Sequence, residues 1–184
     1  MILPAKIKDN AGAYFLKKIL RTTGRKKRIA NFENSKSIGI LFDSTGEKDF
    51  EEVHGYVNKL QARNKEVRAL GFITDPLMAK HLMPMLSFDY IYPSDLKWYG
   101  KPKTAKYKDF CEQDFDILID ISVENRMPLL FAAAESGAGF KIGRFSETNK
   151  PVFDMMIEVK DNEPLHKMIE NFDHYINIIK PLSK

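Results

Sequence analysis

Apolar positions along the chain come in two forms, short runs that read as buried strands and stripes at helical spacing, and the two alternate. Residues 10–23 predict a helix. Phe15, Leu16, Ile19 and Leu20 share one face, Lys17, Lys18 and Arg21 fall away from it, and Gly24 is a natural stop. Residues 37–42, with Ile38, Ile40 and Leu41, predict a first strand. Ser44-Thr45-Gly46-Glu47 then has the spacing of a capping box, and Phe50, Val53, Val57 and Leu60 form the stripe of the helix it would start. Residues 67–73 read as a second strand closed by Thr74-Asp75-Pro76, followed by a Met-rich, partly helical segment through Leu86 that contains Met78, Met83 and Met85. Residues 88–92 predict a third strand, 94–108 an irregular basic stretch, and 115–121 a fourth strand whose unbroken apolar character suits a central parallel position. An Ala-rich helix over 128–136, closed by Gly137 or Gly139, precedes a fifth strand at 140–145 and a candidate sixth at 152–159. The last helix begins at Pro164, carries Leu165, Met168, Ile169, Phe172, Ile176 and Ile179 on one face, and ends before Pro181.

Strands separated by helices of this length imply βαβ units. The expected fold is therefore α/β: a Rossmann-like three-layer sandwich of five or six mostly parallel strands over 37–184. A basic N-terminal helical arm and connector, 1–36, precede it.

Composition narrows the chemistry. The chain has 184 residues, of which 43% are hydrophobic and 29% charged, enough apolar material for one packed core. The single cysteine, Cys111, excludes an internal disulfide and the usual Cys-based zinc sites. No apolar run approaches the roughly 18 residues of a membrane span, and the first residues lack a signal-peptide core, so a cytoplasmic protein is expected. There is no G-x-G-x-x-G after the first strand and no P-loop, and the four histidines have no metal-binding spacing; neither cofactor nor metal is expected. Cys111 reads as a small core residue.

Charge is distributed unevenly. The formal net charge is +4, yet residues 1–31 hold nine cations against the single acid Asp9, so the remainder is net acidic. Lys17, Lys18, Arg21, Arg25, Lys26, Lys27 and Arg28 belong to this cluster. A second basic segment, 97–108, has five lysines, the rings Trp98, Tyr99 and Tyr107, and no acid; Lys97, Trp98, Lys101 and Lys103 are its candidate contacts. Cations neutralise phosphates and aromatic rings stack on unpaired bases. The plain alternative is a solvated loop whose rings cover a sheet edge. The first helix suits an anionic membrane surface less well, because its apolar face is short and lacks Trp, and docking that face on the α/β body would leave the basic side outward.

A second candidate site follows from the fold. Ligands of open α/β sheets bind beyond the carboxyl ends of the strands. The polar residues there are Asp43, Ser44 and Thr45, then Thr74 and Asp75, Ser94 and Asp95, and Asp120 and Ser122. Residues of these types also serve as caps and turn formers. Asp43-Ser44-Thr45-Gly46 resembles the phosphorylation loop of the aspartyl-phosphate, haloacid dehalogenase-like enzymes, where the first Asp attacks phosphorus beside Mg²⁺. Ile119-Asp120-Ile121 departs from that family's paired acids.

A further likeness runs from residue 115 to 145. The strand Phe115-Asp116-Ile117-Leu118-Ile119-Asp120-Ile121, the small-residue helix ending Ala134-Glu135-Ser136-Gly137-Ala138, and the strand Lys141-Ile142-Gly143-Arg144-Phe145 resemble the N-terminal, acceptor-side domain of heptosyltransferase-type glycosyltransferases. The resemblance implies a Rossmann-like half-domain. It does not bring the activity, since those enzymes need a second such domain for the sugar nucleotide. The whole sequence is also similar to a protein family of Bacteroidota with no assigned function. The leading expectation is a non-enzymatic binding or adaptor protein engaging RNA or a ribonucleoprotein through its basic arm. A small-ligand or phosphate-handling enzyme using Asp43, Asp75 and Asp120, of glycosyltransferase-like or aspartyl-phosphate type, is the alternative, and a protein-docking domain the third.

Overall fold

A computed structural model describes residues 5–44, 46–75, 82, 85–160 and 162–180, with the side chains of 5–9 excepted. Thr45, His81 and most of the Met-rich segment, including Met78 and Met83, lie outside the described residues. Six strands, β1 (Ser37–Ser44), β2 (Glu66–Ile73), β3 (Phe88–Ile91), β4 (Ile117–Asp120), β5 (Phe140–Arg144) and β6 (Met155–Ile157), form one sheet in the order β3-β2-β1-β4-β5-β6. Every pairing is parallel. The helices are α1 (Ala5–Thr22), α2 (Glu47–Gln61), α3 (Ala105–Cys111), α4 (Met127–Glu135) and α5 (Leu165–Ile178). None of them is long and apolar enough to cross a membrane.

The central strands are buried on both faces, and each face feeds its own core. Ile38, Ile40 and Phe42 of β1 and Ile117 and Ile119 of β4 point toward α2 and α5, meeting Val53, Val57, Leu60, Met168 and Phe172. Leu41, Leu70 and Leu118 point the other way, toward α1, α3 and α4. Close strand packing leaves no room at Gly71, where an added Cβ would lie 2.5 Å from the Phe42 ring.

Three local expectations are corrected. The Ser44–Glu47 capping box does not form: α2 starts with Gly46 at its N-cap and no side-chain cap, while the Ser44 hydroxyl donates to the Gly46 carbonyl 2.9 Å away. The stretch 94–108 is not wholly irregular. It opens in a 3₁₀ turn, Pro93–Asp95, and its last residues enter α3, whose N-cap Thr104 accepts from the Tyr107 N–H. The first helix begins upstream of residue 10, at Ala5.

That first helix does not stand off as a projecting arm. Residues Pro128 to Ala134 of α4 are buried all round the helix, because the sheet lies on one side and α1 covers another. Leu16 is fully inserted and Phe15, Ile19 and Leu20 pack beside it. Phe15 also stacks on Tyr99 with ring centroids 4.2 Å apart, which brings the 97–108 segment against α1. Gly12 allows this approach, since a Cβ there would meet the Tyr99 carbonyl at 3.0 Å. Leu16→Ala is expected to cost about 2–4 kcal/mol in urea unfolding, the usual range for a buried leucine that leaves a cavity. A change below ~0.5 kcal/mol, the level of an exposed site, would mean that α1 is not docked in solution.

Candidate functional site

The two basic segments meet on the α1 side of the molecule. Thr23, just past α1, shares an open groove of about 640 Å³ with Lys97, Lys101, Lys103, Lys108, Tyr107, Cys111, Glu112 and Glu135. Within it Lys101 and the Tyr107 hydroxyl both bind the Glu135 carboxylate, the latter at 2.7 Å. Burial, and then the Glu135 charge, push the Cys111 thiol up to about 12, so it carries no thiolate at neutral pH. Lys108 pairs with Glu112 at 3.6 Å. Lys97 and Lys103 are exposed, and Trp98 is 53% exposed with its ring edge-on to Tyr99. Of the segment's three rings, Tyr107 is buried and Tyr99 is packed, so Trp98 is the one that faces solvent.

The cations of the first 31 residues divide into two sets. Lys17, Lys18, Arg21 and Lys26 are exposed and have no ion-pair partner among the described residues. Arg25, Lys27 and Arg28 instead fasten the connector to the body. Arg25 donates to the Ala138 and Gly139 carbonyls and to Asp154 at 2.6 Å; Lys27 reaches the same carboxylate at 3.1 Å. Arg28 pairs with Asp116, whose other oxygen accepts the Lys36 and Ser37 N–H groups at 2.6 and 3.1 Å. Burial works against ionisation of Asp116, but the two backbone N–H groups and Arg28 outweigh it and hold the carboxyl below its ordinary value. Asp154 is held low in the same direction, with Arg25, the Lys141 N–H and Lys27 outweighing burial.

At the strand ends, β1 and β4 lie side by side with the chain leaving them in opposite lateral directions, the switch point of this sheet order. Asp43 and Asp120 both sit there. Asp43 is 1% exposed, and both its oxygens are engaged: Oδ1 accepts the Val123 N–H at 2.7 Å and Oδ2 the Arg126 Nε–H at 2.9 Å. The 121–126 loop is thereby folded over the end of β1, and Arg144 and Asn149 hold it from beside, through Val123 and Asn125. Asp120 accepts from the Ser122 backbone and hydroxyl. Burial pushes its carboxyl up to about 6 against those two hydrogen bonds, with the Asp43 charge adding to the rise. Asp75 is half-buried two residues beyond β2. Asp95 caps the 3₁₀ turn by accepting the Tyr92 N–H. Among the described residues no group of three or more His, Cys, Asp and Glu comes together to hold a metal ion.

The partners Arg126, Glu135, Asp154 and Lys141 carry the charge geometry of these sites, yet none of them was a candidate site residue in the sequence. Lys141 alone left a trace in the sequence, as a cation inside an apolar strand.

The strand order 3-2-1-4-5-6 and the switch point define a Rossmann-like α/β protein. Its model match, over residues 8–179, is to a family of unknown function, DUF6913, and the chain belongs to that family. No curated protein and no solved structure matches it, the glycosyltransferases of the 115–145 likeness included.

Two outcomes test these assignments. Asp43→Ala is expected to lower the free energy of unfolding by about 2–4 kcal/mol, because it leaves the Val123 N–H without its acceptor and Arg126 with only the exposed Glu124. Asp43→Asn, which keeps an acceptor for Val123, costs less; equal stability of Asp43→Ala and the wild type refutes the anchor. Asp116 and Asp154 have depressed folded values, so their contribution is complete above the ordinary carboxylate range and is lost as pH falls through the folded values. Acid titration of unfolding is expected to show this loss, and an Asp116→Asn variant to lack its share of the slope.

Proposed function

We propose that the protein is a non-enzymatic binding or adaptor protein that engages an anionic partner, RNA or a ribonucleoprotein, through a composite basic face. The face comprises the outward side of α1 with Lys17, Lys18 and Arg21, the nearby Lys26, and the 97–108 segment with Lys97, Lys103 and Trp98. One observation carries the reading: the residue after α1 and four lysines more than seventy positions later line a single groove. A strand of phosphates laid along it meets the lysines of the 97–108 segment and leaves the groove at Thr23 beside the end of α1, and the exposed Trp98 ring offers a stacking surface for an unpaired base. Arg25, Lys27 and Arg28, already bound to Asp154 and Asp116, contribute field more than contact.

The test is binding of a fluorescent single-stranded RNA of mixed sequence by the full chain over a series of salt concentrations. Affinity is expected to fall linearly on a log–log plot, with a slope of about 0.7 per phosphate neutralised. Combined Lys17→Glu, Lys18→Glu and Arg21→Glu substitutions should weaken binding at least tenfold and flatten the slope, and Trp98 fluorescence should change on binding. Substitution is preferable to truncation, because removing residues 1–31 uncovers α4. Absent or salt-insensitive binding overturns the proposal. Binding that survives the charge reversals but is lost in Asp120→Asn moves the site to the strand ends.

A further inference from the structure

Lys141 lies on β5 between Phe140 and Ile142, and the alternation of the strand turns it toward the α1 and α4 side of the sheet. It is 1% exposed. Its backbone N–H bonds Asp154 at 2.9 Å, but its ammonium has no hydrogen-bond or ion-pair partner among the described residues. A buried ammonium without a counter-ion is costly, and buried charges are normally paired. The side chain lines a cavity of about 330 Å³ bounded by Leu20, Thr23 and Gly24 at the end of α1, Ala134 of α4, and Pro151 and Val152 before β6. Arg25 and Lys27 line the same cavity. The wall thus presents three cations, and the nearby carboxylate is Asp154, already shared by Arg25, Lys27 and a backbone N–H.

We propose that this cavity is a binding site for a small oxyanion, a phosphate or carboxylate group, with Lys141 as its buried cation, Arg25 as its wall and the exposed Lys27 at its rim. The volume accommodates such a group with its first waters. The site borders the groove of the 97–108 segment at Thr23 but contains none of that segment's lysines, and it does not depend on RNA binding.

The groups acting on Lys141 are Arg25 and Lys27 from the connector, Asp154 ahead of β6 and Cys111 of α3; α1 and α4 offer the cavity only Leu20, Thr23 and Ala134. Burial, then Arg25, bring the amine down to about 7, against partial support from Asp154. The sign follows. A base whose folded value is depressed binds its proton more weakly folded than unfolded, so the empty protein gains stability as pH rises from about 7 toward the ordinary lysine value. A bound oxyanion favours the charged amine and opposes that gain.

The experiment is thermal unfolding and titration calorimetry of the full chain in low-chloride buffer with inorganic phosphate, with acetate as the carboxylate arm and chloride as control. At pH 6.5 phosphate or acetate is expected to raise the melting temperature, and at pH 9 the effect should shrink. Lys141→Met should fold at least as well as the wild type, since it exchanges a buried charge for an apolar chain of similar length, and should weaken oxyanion binding at least tenfold. Lys103→Met, in the other groove, should bind as the wild type does. NMR of the Lys141 amine in the wild-type protein provides a readout that needs no variant: saturating phosphate should raise its titration midpoint by about one unit or more. An unmoved midpoint, no oxyanion response, or an equal response in Lys141→Met overturns the proposal.

Discussion

A helix without a polar side has to be covered on every side, and α4 is such a helix. Its run from Pro128 to Ala134 is buried throughout. The small side chains of Ala132, Ala133 and Ala134 let it sit close to the sheet, but that leaves the far side of the helix to be sealed by another element. The sealing element is α1, with Leu16 inserted and Phe15 locked over Tyr99. Much else is a consequence. Because α1 lies apolar side down, Lys17 and Lys18 point outward. Because Tyr99 is part of the seal, the lysines around it are drawn to the same flank. The positive face is thus the outer side of a packing solution.

The two ends of the sheet are stabilised by different chemistry. At the amino-terminal edge, charge fastens the connector: Arg28 to Asp116, Arg25 and Lys27 to Asp154. At the carboxyl edge, where this topology usually keeps its catalytic groups, Asp43 is occupied in holding the 121–126 loop. A carboxylate with both oxygens already accepting is a poor nucleophile, and attack by Asp43 would first require it to release the Val123 N–H and Arg126.

The strands and helices were legible wherever burial imposes a period. Phe115–Ile121 reads as central because both its faces are covered, and α5 reads clearly because one face of it is apolar throughout. What was not legible depends on contacts between distant residues. The Ser44–Glu47 spacing satisfies a capping rule, yet β1 runs on through Ser44 and α2 starts only at Glu47, with Gly46 as its N-cap. Nine cations near one acid read as a single repelling cluster, because Asp116 and Asp154, which neutralise three of them, are about ninety or more residues away. The convergence of the two basic segments was equally hidden: each showed its charge, and the Phe15–Tyr99 stack that joins them has no local signature.

The covering of α4 by α1 also has a meaning in time. Leu129 follows Leu16 by about 110 residues, so during synthesis at ~5–20 residues per second the first helix precedes its binding surface by on the order of ten seconds. Until Tyr99 and then α4 are made, the Phe15, Leu16, Ile19 and Leu20 stripe has no native surface to cover, and it is flanked by the positive charge that marks the finished face. The nascent chain is then an amphipathic cation, and its aggregation is opposed by Lys17, Lys18 and Arg21, which stay exposed in the folded protein.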